Sequence, residues 1–288
     1  MRRKSPPIGT PDISGVSSRA FGYEVISRLM QQSELPSPRT VAFLDILGFR
    51  SLLHRMFGGD AELLRDFLQA LQTLYIHEEI ARRSRDSIAV TVFSDSIVIS
   101  ARGEGSEELV ISRVGVLTWE LLKLGILLRG GIANGPTFHF GSVIFGPGMV
   151  AAYEIESTVA NYPRVVVAPD VARLQAGSGL RRLVRDADGC WFVDPYFSVW
   201  PYFIRRLERS QGRLIPAMPD AEQLQRWAAG RDELQQVRDC LEAIVHRDVA
   251  VGSSGLGIAA KIGWAIEQFN STVAQIDTGV APLPLPCS

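Results

Sequence analysis

A single acid inside an apolar strand is the feature that most constrains this chain. The stretch FLDILGF, residues 43–49, is apolar except for Asp45, and a glycine follows three residues later. Removing an unpaired carboxylate from water is costly. Asp45 must therefore either pair with a basic side chain or hold a cation, and the local sequence leaves both readings open.

The bulk composition is that of an ordinary soluble globular protein. Of the 288 residues, 46% are hydrophobic and 21% are charged, and the formal net charge is −1. This balance gives no indication of a nucleic-acid partner. The three cysteines are far apart and match no zinc or disulfide spacing, which favours a reducing, cytoplasmic setting. The chain shows no signal sequence and no run of 18 apolar residues, so we expect no integral membrane span.

The order of the predicted elements indicates an α+β fold with three segments. We predict a disordered N-terminal segment and short helix over 1–38, a catalytic domain over 39–190, and an aromatic-rich, mainly helical appendage over 191–288. Within the middle segment strands and helices interleave as βα, ββ, α, ββ, α, β, which is typical of an α+β sandwich rather than of a doubly wound fold. The predicted pieces are a strand over 40–49, helices over 59–85, 106–125 and 148–160, a hairpin over 87–100, and in the appendage helices over 219–247 and 254–276.

A second acid lies in the same kind of apolar context as Asp45. Asp95, in VFSDSIVIS, falls at the bend of the predicted hairpin. Two carboxylates that converge repel each other unless a cation lies between them, and hard divalent cations suit such a site. The competing interpretation is that each acid caps a turn or pairs with an arginine. The two acids together favour a metal site.

Other polar features receive structural interpretations. The glycines in LLRGGIANGP, at 130, 131 and 135, predict a tight hairpin that needs positive φ. The four histidines, at 54, 77, 139 and 246, have no metal-ligand spacing, so we expect structural or surface roles for them.

Five short motifs in sequence resemble the catalytic domain of class III nucleotidyl cyclases. They are AFLDILGF, FSDSIVIS, LRGGIANGP, FGPGMVAAYEIES and RVVVAPDV, and together they cover roughly residues 39–175. The resemblance implies a ferredoxin-like sheet with helices on one face, a homodimer with composite active sites, and a nucleoside triphosphate substrate. It also implies two divalent cations, Mn²⁺ or Mg²⁺, bridged by Asp45 and Asp95 with help from the carbonyl of Ile46.

The same resemblance assigns the remaining site residues. The implied nucleotide contacts are Phe43, Ile46, Gly48, Phe49, Thr91 and Asn161. Thr91 stands where adenylyl cyclases carry a base-reading Lys, and Val143 stands where they carry its partner Asp. Val150 and Glu154 occupy the usual positions of a helical Asn and Arg, so we take Arg164 as the substitute for the transition-state arginine. Arg129 and Arg102 are weaker candidates.

These departures are most similar to the bacterial pyrimidine cyclases of the Pycsar anti-phage system. That resemblance implies conversion of UTP or CTP to the cyclic monophosphate, which then activates a separate effector protein. Two alternatives stay open from the sequence. One is a degenerate cyclase-like domain that binds nucleotide or a partner without turnover, and the other is a purine cyclase with unusual base contacts.

Overall fold

The computed structural model describes residues 36–75, 87–175, 182–203, 207–210, 213–216, 218–249, 256–276 and 279–285. The disorder and the short helix predicted within 1–38 fall on residues 1–35, outside the described residues. Residues 37–288 belong to one compact unit. Among the described residues, no helix combines the length and apolar composition that crossing a membrane requires.

A mixed sheet of eight strands forms the centre of this unit. Its main path runs β2-β3-β1-β4-β6-β8-β7, with β5 paired to the end of β4. Only the β4–β6 pair is parallel among the described strands. The strands are β1 (Ser37–Ile46), β2 (Ser87–Phe93), β3 (Ser96–Arg102), β4 (Leu128–Phe140), β5 (Val143–Phe145), β6 (Val165–Val167), β7 (Leu183–Arg185) and β8 (Trp191–Val193), and a separate hairpin pairs β9 (Leu207–Ser210) with β10 (Arg213–Pro216).

Eight helices are described around the sheets, and the α+β class predicted from the sequence is confirmed. They are α1 (Phe49–Phe57), α2 (Ala61–Gln72), α3 (Ser106–Leu122), α4 (Pro147–Thr158), α5 (Pro169–Gln175), α6 (Trp200–Phe203), α7 (Ala221–Ile244) and α8 (Leu256–Gln275). A π-helical turn, Val245–Val249, continues α7. Helix α2 begins at Asp60, whose carboxylate accepts a hydrogen bond from the Leu63 N–H at 3.0 Å.

Helices cover both faces of the sheet, which corrects the expectation of helices on one face. Side chains alternate along a strand, and β1 divides accordingly. Ala42 and Leu44 join the large core with α1, α2, α3 and α5. Val41 and Phe43 face the other way and pack against α4 through Ala152. Asp45 shares the α4 face with Val41 and Phe43.

The glycines of β4 do not form the predicted hairpin. Strand β4 runs unbroken through Gly130, Gly131 and Gly135, none of which has positive φ. Their role is close approach. A Cβ on Gly131 would lie 2.2 Å from the Ala152 carbonyl oxygen, and a Cβ on Gly135 would lie 2.7 Å from the Cα of Gly148. The glycines therefore allow α4 to lie directly on the strand, and the turn comes later, at residues 141–142.

The C-terminal helices pack on the edge of the same sheet. Phe192 of β8 and Trp119 of α3 belong to one core cluster with Leu234 of α7 and Phe269 of α8. Because β8 is a sheet strand that pairs with β6 and β7, the segment boundary predicted at residue 190 falls inside the sheet. Both long predicted helices of this segment are present as α7 and α8.

Replacing Gly131 by alanine tests the close contact of α4 with β4. We expect Gly131→Ala to lower the free energy of unfolding by about 1–3 kcal/mol, since the added methyl group overfills a packed contact. Gly257→Ala is the matched control, because a Cβ there meets nothing within 4 Å, and it should be neutral or stabilising. Urea denaturation of both variants gives the measurement. Equal stabilities of Gly131→Ala and the wild type would contradict this account.

Candidate active site

The ends of three neighbouring strands bring Asp45 and Asp95 together. Strand β1 pairs with β3 so that Asp45 lies opposite Ser96. Asp95 immediately precedes Ser96, in the turn between β2 and β3. The Ile46 N–H donates a hydrogen bond of 2.9 Å to the Asp95 carbonyl oxygen. The two acids are thus backbone neighbours at one end of the sheet, although 50 positions separate them in the sequence.

The turn that carries Asp95 has an unusual backbone. Ser94 has φ of 57°, and it is the sole non-glycine residue with positive φ among the described residues. A side chain in this region of φ is disfavoured, and such residues concentrate at functional sites. The turn therefore fixes Asp95 beside β1 at an energetic cost, which is a reason to look for function there.

Asp45 also has a basic partner within the chain. Strand β4 places Arg129 opposite Asp45, and Arg129 Nε donates to Asp45 Oδ2 at 3.0 Å. The same Nε lies 2.8 Å from Oε1 of Glu156 in α4. The guanidinium group therefore bridges two carboxylates. This arrangement answers part of the question that Asp45 raises, because the lone acid of β1 is compensated by Arg129.

Glu156 is the most buried member of this group. Its side chain is 4% exposed. Burial raises the pKa of the Glu156 carboxyl; the Arg129 charge acts in the opposite direction, and the Asp45 charge raises it further. Asp45 and Glu156 thus share the positive charge of the Arg129 guanidinium. Local sequence reasoning missed Glu156, because nothing in AYEIES indicates that its side chain turns inward under the sheet.

The donor set at Asp45 and Asp95 suits a hard divalent cation with an incomplete protein shell. Among the described residues, no group of three or more His, Cys, Asp or Glu side chains could hold a metal ion by itself. Mg²⁺ usually takes one or two carboxylates and completes its shell with water and substrate phosphates. The Arg129 contact uses Oδ2 of Asp45, and a carboxylate offers about four acceptor positions on its two oxygens. The two acids therefore fit a cation that arrives with a phosphate ligand.

The residues after Asp45 lead directly into a helix. Gly48 has φ of 70° and caps α1, which begins at Phe49. Helix N-termini present free N–H groups that favour anions. Phe43, two residues before Asp45 on the same face, packs edge-on against the ring of Tyr153 with centroids 5.4 Å apart. Phe43, Ile46, Gly48 and Phe49 thus lie along one short path from β1 into α1.

The two positions predicted to read the base are brought together as well. The Thr91 hydroxyl on β2 donates to the Gly141 carbonyl oxygen at 2.9 Å, and Gly141 lies in the turn just before Val143. His139 Nε2 is also 2.9 Å from the Thr91 hydroxyl. Hydrogen bonds to the Thr91 hydroxyl therefore hold β2 beside the end of β4, although Thr91 and His139 are 48 positions apart in the sequence.

A buried chain of hydrogen bonds fixes the direction of each donor behind Thr91. Arg39 donates to the Ser100 hydroxyl at 3.2 Å, and that hydroxyl lies 2.8 Å from His139 Nδ1. Because Arg39 only donates and the Gly141 carbonyl only accepts, Ser100 donates to Nδ1 and His139 Nε2–H donates to Thr91. Thr91 consequently presents an acceptor to any ligand beside it.

Arg164 and Asn161 lie in the segment between α4 and β6. Arg164 is 3% exposed, and its guanidinium forms ion pairs with Asp186 and Asp188. The Trp264 indole N–H also donates to Asp186, at 2.9 Å. Asn161 is exposed, and its backbone N–H bonds to the Val159 carbonyl oxygen. The charge of the Arg164 guanidinium is therefore compensated by two carboxylates of the same chain.

The buried histidine makes stability depend on pH. Burial, reinforced by the Arg39 charge, lowers the pKa of His139 to about 4. Between this value and its ordinary value near 6.5, the unfolded chain binds a proton that the folded chain does not. The contribution is therefore fully present above pH 6.5 and is lost as the pH falls toward 4, by roughly 3 kcal/mol in all.

We expect His139→Gln to remove this part of the pH dependence. Free energies of unfolding measured from pH 7 to pH 4 should fall less steeply for the variant than for the wild type. His54→Gln, at an exposed position of α1, should follow the wild-type curve. If His139→Gln and the wild type show parallel curves, His139 is not held neutral in the fold.

Comparisons with known proteins give structural likeness alone. No protein-family model and no curated protein matches the chain. Among solved structures, the catalytic core of a rhodopsin-guanylyl cyclase with converted specificity, in complex with ATPalphaS, is 17% identical, with TM-score 0.40 and coverage of 57% of this chain and 98% of that one. A dimeric guanylyl cyclase domain of the RhoGC fusion protein from the aquatic fungus Blastocladiella emersonii is 17% identical, with TM-score 0.38 and coverage of 54% and 95%.

A bacterial light-regulated adenylyl cyclase extends further along this chain. It is 10% identical, with TM-score 0.36 and coverage of 82% of this chain and 78% of that one. At TM-scores this low, these likenesses carry no argument about activity, substrate or assembly. The functional conclusion must therefore be drawn from the residues and geometry of the site.

Proposed function

We propose that this protein is a nucleotidyl cyclase that converts a pyrimidine nucleoside triphosphate, UTP or CTP, to the 3′,5′-cyclic monophosphate and pyrophosphate. One observation carries the proposal. The β1–β3 register sets Asp95 beside Asp45, and the Ile46–Asp95 backbone hydrogen bond closes this end of the sheet. Two acids held side by side next to an anion-favouring helix start suit a metal-bound triphosphate.

Asp45, Asp95 and the Ile46 carbonyl would hold two divalent cations, Mg²⁺ or Mn²⁺. When bound, these cations neutralise the triphosphate and lower the pKa of the ribose 3′-hydroxyl. In the reaction the 3′-oxygen bonds to the α-phosphorus and its proton passes to solvent water. The bond from that phosphorus to the bridging oxygen of the β-phosphate breaks, and pyrophosphate leaves with the electron pair. The protein supplies position. Gly48 and the first residues of α1 face the phosphates, and Phe43 packs beside the nucleoside.

The base preference rests on Thr91 and Val143. A lysine and an aspartate at these positions would offer a charged donor and a charged acceptor to a purine edge, and neither is present. Thr91 has its proton engaged by Gly141 and offers an acceptor. Uracil N3–H and the cytosine amino group are both donors that could meet it. The adenine amino group and guanine N1–H are donors as well, so the acceptor at Thr91 accommodates a pyrimidine without selecting it. The pyrimidine preference therefore rests on the missing Lys and Asp.

A homodimer with composite sites is part of the proposal. Several large apolar side chains on α4, β5 and the β2–β3 turn lie open to solvent: Phe93 at 78%, Phe145 at 57%, Val150 at 53% and Tyr153 at 51%. Phe93 lies opposite Ser96, which lies opposite Asp45, so the three share one row of the sheet. Exposed apolar clusters of this kind mark interaction surfaces. A second copy over this face would complete the site.

Arg164 and Asn161 remain our proposed contacts to phosphate and ribose. For Arg164, this role requires a rearrangement. To reach a phosphate, Arg164 would have to leave Asp186 and Asp188 and cross from a buried position. The proposed physiological setting, an anti-phage second messenger acting on a separate effector, rests on the sequence resemblance alone.

One contact favours the alternative of nucleotide binding without turnover. Arg129 Nε already compensates Asp45 at 3.0 Å, and a cation at Asp45 must share that carboxylate or displace the arginine. The assay below distinguishes this alternative from the proposed activity.

Incubation with each of the four nucleoside triphosphates and Mn²⁺, followed by chromatography, tests the activity and the base preference together. We expect a cyclic pyrimidine product in excess of cyclic AMP or cyclic GMP. Asp45→Asn and Asp95→Asn should each reduce the rate by at least about a thousandfold, because loss of several kcal/mol of charge stabilisation has that effect.

Asp232→Asn, an exposed acid of α7, is the control and should keep the wild-type rate. Thermal unfolding should show that both site variants stay folded. A dominant purine product would contradict the base assignment. Full activity in either site variant would contradict the metal assignment, and the absence of a cyclic product from all four triphosphates would favour the inactive alternative.

The dimer is tested at its most exposed aromatic residue. We expect Phe93→Ser to weaken the dimer by about 30-fold or more, the usual effect of removing a central aromatic anchor. Sedimentation velocity over a range of concentrations gives the dissociation constant. Leu224→Ser, at a 51% exposed leucine of α7, should leave it unchanged. A wild-type protein that is active while monomeric would refute composite sites.

A further inference from the structure

A cavity of about 180 Å³ lies between α1, the start of β4, the end of α7 and α8. Its apolar wall is built mainly from branched side chains of these elements: Leu52, Ile126, Leu127, Ile244, Ile258 and Ile262. Leu52, Ile126, Ile244 and Ile262 are themselves at most 5% exposed. An apolar cavity of about 150 Å³ is large enough to take a benzene ring. The apolar part of the cavity is thus suited to a small apolar group, such as one ring or a short alkyl chain.

The same cavity carries a concentration of positive charge. Arg55 of α1, Arg247 of the π-helical turn and Lys261 of α8 line it, and no acid is among its described lining residues. Like charges around one small space repel one another, although these side chains are partly open to solvent. An anion placed among them would relieve that repulsion.

Arg247 interacts with another residue of the chain, so the excess of positive charge rests on Arg55 and Lys261. Arg55 has an ion pair with Asp60, but the separation is 3.8 Å and both side chains are more than a third exposed. Pairs of this kind are weak. Lys261 has no ion pair with another described residue, and it lies one turn from Ile258 on the same helix. The positive charge at Lys261 therefore stays available beside the apolar wall.

The cavity borders the proposed phosphate site at Gly48 and the first turn of α1 but does not include the two acids. Neither Asp45 nor Asp95 lines it, and of the predicted nucleotide contacts only Gly48 does. Most of the wall is apolar, and its polar side chains are those of Ser51 and the basic residues. The chemistry of the wall and the charge of the rim together select a compact ligand with one apolar body and one negative group.

We propose that this cavity is a binding site for a small organic anion, with an aromatic or short alkyl body against Ile126 and Ile262 and a carboxylate facing Lys261 and Arg55. The site belongs to the junction of α1 with the C-terminal helices, not to the acid pair. It does not depend on the proposed cyclase activity, and its test uses binding alone.

Ligand-detected NMR titration of the full chain with 3-phenylpropanoate and with its neutral isostere, 3-phenylpropanamide, tests the site. We expect the acid to bind at least about tenfold more tightly than the amide, the usual effect of a hydrogen bond to a charged group. Because the charges lie near the surface, the acid's affinity should also fall as salt rises. Equal affinities, or no binding of the acid, would overturn the proposal.

Two variants then locate the bound anion. Lys261→Met keeps the apolar stem and removes the charge, so it should weaken the acid about tenfold and leave the amide unchanged. Lys123→Met makes the same change at the C-terminal end of α3, outside the cavity, and should change neither. An effect of Lys123→Met equal to that of Lys261→Met, or none from Lys261→Met, would place the anion elsewhere and refute the site. If Lys261→Met does not fold, Arg55→Met takes its place with the same expected result.

Discussion

The antiparallel pairing of β1 with β4 is the constraint on which the rest of the structure depends. It joins all ten residues of β1 to β4, from Ser37 opposite Thr137 to Ile46 opposite Leu128. A register shift of one residue would exchange the two faces of the sheet. Asp45 would then enter the large aliphatic core without Arg129. The register thus decides that the acid lies on the α4 face and that a guanidinium is opposite it.

Close packing of α4 follows from the same pairing. On the part of β4 that α4 crosses, Gly131 and Gly135 leave only the small Ala133 side chain between them, so the helix backbone comes within contact distance. This approach buries Glu156 next to Arg129. A buried pair gains stability only when its charges are well compensated. The three charged groups therefore form one unit, in which any cation that binds Asp45 also alters the partner of Glu156.

The two sides of the sheet serve different purposes. The face with α1, α2, α3 and α5 is filled by aliphatic side chains and supplies stability. The other face carries Asp45, Thr91 and the buried His139 hydrogen-bond chain, and it leaves large apolar side chains open around α4. The hydrogen bonds that run from Arg39 to Gly141 have defined donor directions, because Arg39 can only donate and the Gly141 carbonyl can only accept. A buried hydrogen-bond network of this kind makes the surrounding structure rigid.

The sequence by itself determined the fold class and singled out Asp45 and Asp95 as the acids in apolar strands. Interleaved periodic segments predicted α+β, and the charge inside FLDILGF and the hairpin around Asp95 could be read locally, since both depend on strand alternation and turn chemistry. The cap that Asp60 provides to α2 is another feature set by local sequence. The metal role of the acids and the contacts of Phe43, Gly48 and Arg164 stay predictions.

Tertiary structure decided what local patterns cannot encode. Helix α1 was not predicted, because the apolar run of β1 continues into it with only Leu47 and Gly48 between them. The glycines of β4 predicted a turn, since glycine signals both positive φ and close approach, and only the position of α4 distinguishes the two. Arg129 meets Glu156 across 27 positions of sequence, and Thr91 meets His139 across 48. Such contacts are set by register and by helix packing, which depend on the whole sheet and not on any one segment.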